Sequence, residues 1–187
     1  MSDEMELPEI AICGDLTEHE NDITEKLLSV PPQGECVLYF DSPGGSAYAG
    51  LSLMSLIKLR GLRATGIVSG ECSSAALWPF AACQTRLVTQ YSVLLFHPMR
   101  WQSEERVVLS EADEWARHFR QLEGDMDRLL AELFQIELEK IRPWLHPGRY
   151  VLGPELVAAG LAELIPLDTV AQLQPRAKGR KKPSSRS

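Results

Sequence analysis

Three loops of this 187-residue chain carry residue types suited to acyl transfer. Gly70-Glu71-Cys72-Ser73-Ser74 leaves one apolar run and leads directly into another, Ala75 to Ala82. A serine at such a strand-to-helix turn can expose its hydroxyl and leave the next amide, that of Ala75, free. That is the logic of a nucleophile elbow, although the Gly-x-Ser-x-Gly pattern is absent. The same position suits a helix cap, where serine is favoured. His97 ends the apolar run Leu94-Leu95-Phe96 and precedes Pro98. An imidazole there is placed to act as a general base toward a serine on a neighbouring loop, or to sit half-buried against backbone. Asp41-Ser42-Pro43-Gly44-Gly45-Ser46 follows a third apolar run. Its glycine amides can approach a ligand unobstructed by Cβ and hold a developing oxyanion, or merely close a turn. Each loop alone admits a plain structural role.

The elements that must position these loops follow from the apolar pattern. Residues 9–13 read as a short strand, and Thr17 to Val30 as a helix, with Thr17 and Glu20 matching a capping box. Glu35 to Phe40 is apolar after its first residue, the signature of a strand covered on both faces. Ala47 to Leu59 is helical, Thr65 to Ser69 a strand, Ala75 to Ala82 a buried helix, and Arg86–Val88 and Ser92–Phe96 short strands. A long helix begins at Ser110 and runs to about Phe134 or Ile136, followed by a shorter one from Glu137 to Trp144. His146-Pro147-Gly148-Arg149 breaks it, with His146 read as a loop residue; Tyr150–Leu152 is extended, and a last helix runs from Gly153 to Ala159. Strands alternating with helices predict βαβ units and a mostly parallel sheet. A doubly wound nucleotide-binding fold would need a glycine-rich phosphate loop, and neither motif for one occurs.

Composition narrows the function classes. Apolar residues make up 44% and charged residues 24%, as in ordinary globular proteins. No run approaches 18 apolar residues, and the acidic N-terminus lacks the pattern of a secretory signal. The net charge of −7 hides an asymmetry: the segment from Arg176 to Ser187 holds six of the 19 basic residues and no acid, leaving 13 against 26 in the body. A body this acidic is a poor nucleic-acid binder, and the tail reads as disordered and cationic. The cysteines Cys13, Cys36, Cys72 and Cys83 form no paired spacing for zinc and read as reduced, buried thiols of a cytoplasmic protein.

Taken together, order and spacing resemble the proteolytic subunit of the Clp protease, ClpP, from about Ile10 to Ile165. Asp41-Ser-Pro-Gly-Gly-Ser is similar to that family's Asn-Ser-Pro-Gly-Gly loop, and Gly70-Glu-Cys-Ser-Ser-Ala-Ala resembles its nucleophile loop, with Ser74 rather than Ser73 at the nucleophile. Leu95-Phe96-His97-Pro98 resembles the strand ending in the catalytic histidine, and Gly153-Pro154-Glu155 with Ala159-Gly160-Leu161-Ala162-Glu163 resembles the closing segments. The resemblance implies an α/β, ClpP/crotonase-like fold of repeated ββα units with a protruding handle helix from Ser110. It implies a short N-terminus over residues 1–9, a peptidase domain over 10–170 and a basic tail over 171–187. It further implies a serine endopeptidase: Ser74 as nucleophile, His97 as base, the Gly45 and Ala75 amides as oxyanion hole, no metal and no cofactor. Substrates would be peptides or unfolded protein, and the assembly a homo-oligomeric ring, a heptamer or double heptamer, with no nucleic acid or membrane as partner.

Two departures stand against that pattern. The register puts Gly148 where the family has its acid, and no Asp or Glu occurs from Lys140 to Gly153. Loss of such an acid costs about 10,000-fold in a serine triad. Only about nine residues precede Ile10, which argues against pairing with an AAA+ unfoldase of the ClpX or ClpA type. An alternative is therefore an impaired ClpP-like scaffold co-assembling with an active paralogue. A third reading, a crotonase-type acyl-CoA enzyme, gives Ser74 and His97 no necessary role.

Overall fold

The apolar runs become a stack of parallel strands whose C-terminal ends hold the three loops. The structure, a computed structural model, describes residues 7–102 and 106–167. Strand β1 (Glu9–Asp15), helix α1 (Leu16–Ser29), β2 (Glu35–Gly44), α2 (Ala47–Leu59) and β3 (Arg63–Cys72) alternate strictly. A 3₁₀ turn (Ser74–Ala76) runs into α3 (Leu77–Ala81), then β4 (Thr85–Val88) and β5 (Val93–Phe96). Beyond these lie α4 (Leu109–Phe134), α5 (Leu138–Leu145), β6 (Arg149–Leu152), α6 (Gly153–Ala158) and β7 (Glu163–Leu164). The main sheet has the order β1-β2-β3-β4-β7, all parallel. β5 continues beside the end of β3 and pairs antiparallel with β6. The basic tail and the first six residues lie outside the described residues. No helix among the described residues is long and apolar enough to cross a membrane.

Burial on both faces explains the composition of β2: Cys36, Val37, Leu38 and Phe40 are all buried, as a strand sandwiched between neighbours requires. A chain of aromatic rings then ties the sheet to the later helices. Phe40 meets Phe80 of α3 edge-on at 5.4 Å, Phe80 meets Phe134 of α4 at 6.4 Å, and Phe96 of β5 lies 6.5 Å from Phe134 and 5.2 Å from Trp144 of α5. Each such pair adds about 0.5–1.5 kcal/mol beyond its buried area.

Only one end of α4 joins this core. Leu130, Ala131 and Phe134 are buried, whereas Leu109 at the start of the helix is 78% exposed. At about 1.5 Å per residue, a helix of 26 residues spans roughly 39 Å. Its N-terminal half leans on Trp101, which stacks on Phe119 at 5.6 Å and meets Trp115 edge-on at 5.8 Å. The helix therefore packs back on the domain at its end and protrudes at its start.

One local expectation is corrected. Thr17 does not cap α1; Asp15 does, its carboxylate accepting from the Thr17 amide at 2.7 Å. The Thr17 hydroxyl is used elsewhere, accepting from the Ser46 amide at 2.8 Å and so bracing the glycine loop.

Gly50 of α2 lets the helix lie directly on the turn that carries Ser74. A Cβ there would meet the Ala75 carbonyl oxygen at 2.4 Å and Trp78 Cε3 at 2.9 Å. Alanine is the better helix former, yet overpacking against backbone costs about 1–3 kcal/mol. Gly50→Ala is expected to lower the melting temperature by several degrees in a thermal unfolding scan, and an unchanged value would mean that the two elements are not in such close contact.

Candidate active site

β3 ends at Cys72, and the next two serines are treated differently. Ser73 is 1% exposed. Its hydroxyl donates to Glu71 Oε1 at 2.6 Å and accepts from the Leu95 amide at 3.2 Å, while its own amide donates to the Ser42 carbonyl at 3.0 Å. Ser73 thus pins this turn to β5, two residues before His97. Ser74 adopts φ +56°, the left-handed region that non-glycine residues avoid. Holding a residue there costs on the order of 1–3 kcal/mol and persists only where the surroundings enforce it. The enforcement here is Gly44: a Cβ on it would lie 2.7 Å from both the Ser73 carbonyl oxygen and Ser74 Cβ. Ser74 is half-buried, and the 3₁₀ turn has no side-chain cap, so the cap reading of this serine pair is set aside.

The glycine loop is locked from its other side. The Ser42 hydroxyl donates to the Gly14 carbonyl at 2.6 Å and accepts from the Gly44 amide at 3.1 Å. Gly45 has φ +147°, and a Cβ there would meet Asp15 Oδ1 at 2.6 Å and Thr17 Oγ1 at 2.8 Å, so no side chain fits. Among the described residues, neither the Gly45 amide nor the Ala75 amide donates to an acceptor. Gly45, Ala75, Ser74 and His97 all line one cavity of about 170 Å³. Two free amides beside a hydroxyl are what an oxyanion site requires.

His97 follows β5 directly. Its Nδ1 lies 2.5 Å from the Pro98 carbonyl oxygen. A carbonyl oxygen can only accept, so Nδ1 carries the proton and Nε2 is left as the basic nitrogen. No hydrogen bond joins Ser74 and His97 among the described residues; such contacts are often loose in empty sites. Across the β5–β6 pair, Phe96 stands opposite Arg149, and one step further Gly148 faces His97. A Cβ on Gly148 would lie 3.2 Å from His97 Cβ. Gly148 thus lies beside His97, and no carboxylate stands at that position.

Carboxylates reach the cavity from α4 instead. Glu123 Oε1 accepts from the Met99 amide at 2.8 Å, and Asp127 Oδ2 is 2.8 Å from His146 Nε2. Both acids line the cavity. His146, read from sequence as a loop residue, is the C-cap of α5 and is engaged by Asp127. The sequence reading named Thr17 and Ser73 without the bracing roles they have here, and it missed Glu123 and Asp127. The last two were open to detection, since Glu123, Asp127 and Leu130 share a helix face at i, i+4 and i+7. Cys13 is exposed, not buried as expected; among the buried thiols, burial, then Cys83 and Glu71, pushes Cys72 well up, and burial pushes Cys36 up to about 11. Both stay protonated and unreactive at neutral pH.

Restoring an acid by Gly148→Asp meets a backbone at φ +120° as well as the close approach to His97. The expected outcome is no gain in peptide hydrolysis and a loss of about 1–3 kcal/mol of stability, read as a lower melting temperature. Faster hydrolysis at an unchanged melting temperature would show that the strand end relaxes readily.

Comparison with known proteins bears on the family and the fold. The profile of the Clp protease family matches residues 7–166. No curated protein sequence matches the chain. Among solved structures, an asparagine-to-aspartate variant of ClpP1 from Listeria monocytogenes superposes with a TM-score of 0.74 at 19% identity, covering 84% of this chain and 91% of the other. The chain has the fold of that protein, and it belongs to the Clp protease family.

Proposed function

We propose that the protein is a ClpP-like serine endopeptidase that works with Ser74 and His97 and without a carboxylate partner for the histidine. The observation that carries this reading is Ser74 itself, a non-glycine residue at φ +56° beside two free amides in a cavity shared with His97. In this reading the peptide carbonyl sits over Ser74 with its oxygen toward the Gly45 and Ala75 amides. Ser74 Oγ attacks the carbonyl carbon, and His97 Nε2 takes the hydroxyl proton. The tetrahedral oxyanion is held by the two amides. His97 then returns the proton to the leaving amine, the C–N bond breaks, and an acyl-serine remains. Water, deprotonated by the same imidazole, releases the acid and regenerates Ser74.

The Pro98 carbonyl does part of the work of the missing acid. In a serine triad, replacing the aspartate by asparagine is severe because it favours the wrong tautomer. A carbonyl acceptor keeps the right one, but it supplies no full charge against the imidazolium. Turnover should therefore be slow but not abolished. Family membership supports a homo-oligomeric ring, and the protruding half of α4, with Trp101, Trp115 and Phe119, supports contact with other subunits.

Gly148 favours a second reading, an impaired subunit that co-assembles with an active paralogue. Hydrolysis of a panel of short fluorogenic peptides by the full chain, sized by light scattering, separates the two. The peptidase reading predicts cleavage that falls to background in Ser74→Ala. A well-assembled oligomer that cleaves nothing would favour the scaffold, and cleavage unaffected by Ser74→Ala would remove Ser74 from the chemistry.

A further inference from the structure

The cavity beside Ser74 is not lined as a purely apolar pocket. Its walls include Trp78, Met126, Leu130 and Leu145, which offer an apolar channel, and the carboxylates of Glu123 and Asp127. Both acids are half-buried; the Asp127 side chain is 17% exposed. The cation that also borders the cavity, Arg100, is exposed to solvent. Charges screened by water count for much less than charges held in a cleft, so the enclosed part of the cavity is negative. An apolar channel ending in carboxylates suits a side chain with a long aliphatic stem and a cationic head.

We infer that this cavity binds a lysine or arginine side chain of the substrate, so that the enzyme cleaves after basic residues. The inference rests on the reading of Ser74 as nucleophile. A peptide carbonyl over Ser74 has its own residue's Cα directly attached, so that residue's side chain starts nearest to the cavity. The side chain on the leaving side starts beyond the nitrogen. Glu123 and Asp127 each spend an oxygen on a protein partner, the Met99 amide and His146. Each carboxylate retains a second oxygen for the incoming ammonium or guanidinium group, and His146 is the basic group that faces Asp127.

The test compares peptides that end in lysine and in norleucine, the neutral side chain of similar shape, before a fluorogenic leaving group. The expected result is a kcat/KM ratio of roughly tenfold or more in favour of lysine, falling toward one in Glu123→Gln/Asp127→Asn. The amide oxygens of Gln and Asn still accept from Met99 and His146, so these variants remove charge and leave the hydrogen bonds. A second arm reads binding alone, by fluorescence anisotropy of fluorescein-labelled, amidated peptides carrying the same two residues on Ser74→Ala protein. Lysine-selective binding that is lost in the double variant supports the subsite even if no peptide is cleaved, and that combination would reject the peptidase reading instead. Ser74-dependent cleavage that prefers norleucine, or equal binding of the two peptides, overturns the subsite and leaves the peptidase reading standing.

Discussion

The left-handed backbone at Ser74 is the constraint around which the rest of the site is built. A strand must stop at Cys72, turn sharply and begin a helix within a few residues, and Ser74 bears the conformational cost of that turn. The neighbours that enforce it are selected for smallness. Gly44 permits the glycine loop to touch Ser74, and Gly50 permits α2 to rest on Ala75. Ser73 contributes differently, by joining the turn to β5 through its hydroxyl. A strained residue that several independent contacts hold in place, facing a cavity, is the pattern associated with functional sites.

The second organising feature is that backbone groups hold the histidine and the segment after it. His97 is oriented by the Pro98 carbonyl, and the segment after it is held by Glu123 through the Met99 amide. The position opposite His97 is a glycine at φ +120°, where a side chain would be strained and its Cβ would lie 3.2 Å from His97 Cβ. Because Glu123 belongs to α4, the placement of His97 is tied mechanically to the protruding helix.

Much of the fold was legible in the sequence because it rests on period and composition. The apolar runs marked β2, β3 and β5, and the 3.6-residue pattern marked α4 to within a residue of its start. The loops were legible as well, since glycine pairs and a serine pair after apolar runs have few structural meanings. Which serine would face the cavity was not decided by pattern; it came from the family resemblance, and burial of Ser73 agrees with it. Long-range hydrogen bonds left no local signal. Thr17 looked like a cap because its spacing to Glu20 fits one, yet Asp15 was the better placed acceptor and freed the hydroxyl for Ser46. The spacing of Glu123, Asp127 and Leu130 marks one face of α4, but only the tertiary packing of α4 over α3 brings that face to the serine.

The central claim is that Ser74 and His97 act together without an acid. The most direct measurement is the second-order rate of Ser74 modification by a fluorophosphonate, located by peptide mass spectrometry, for the full chain and its His97→Ala variant. The account predicts selective labelling of Ser74 that slows by about 100-fold or more without the imidazole. An unlabelled Ser74, or a rate indifferent to His97→Ala, would contradict it.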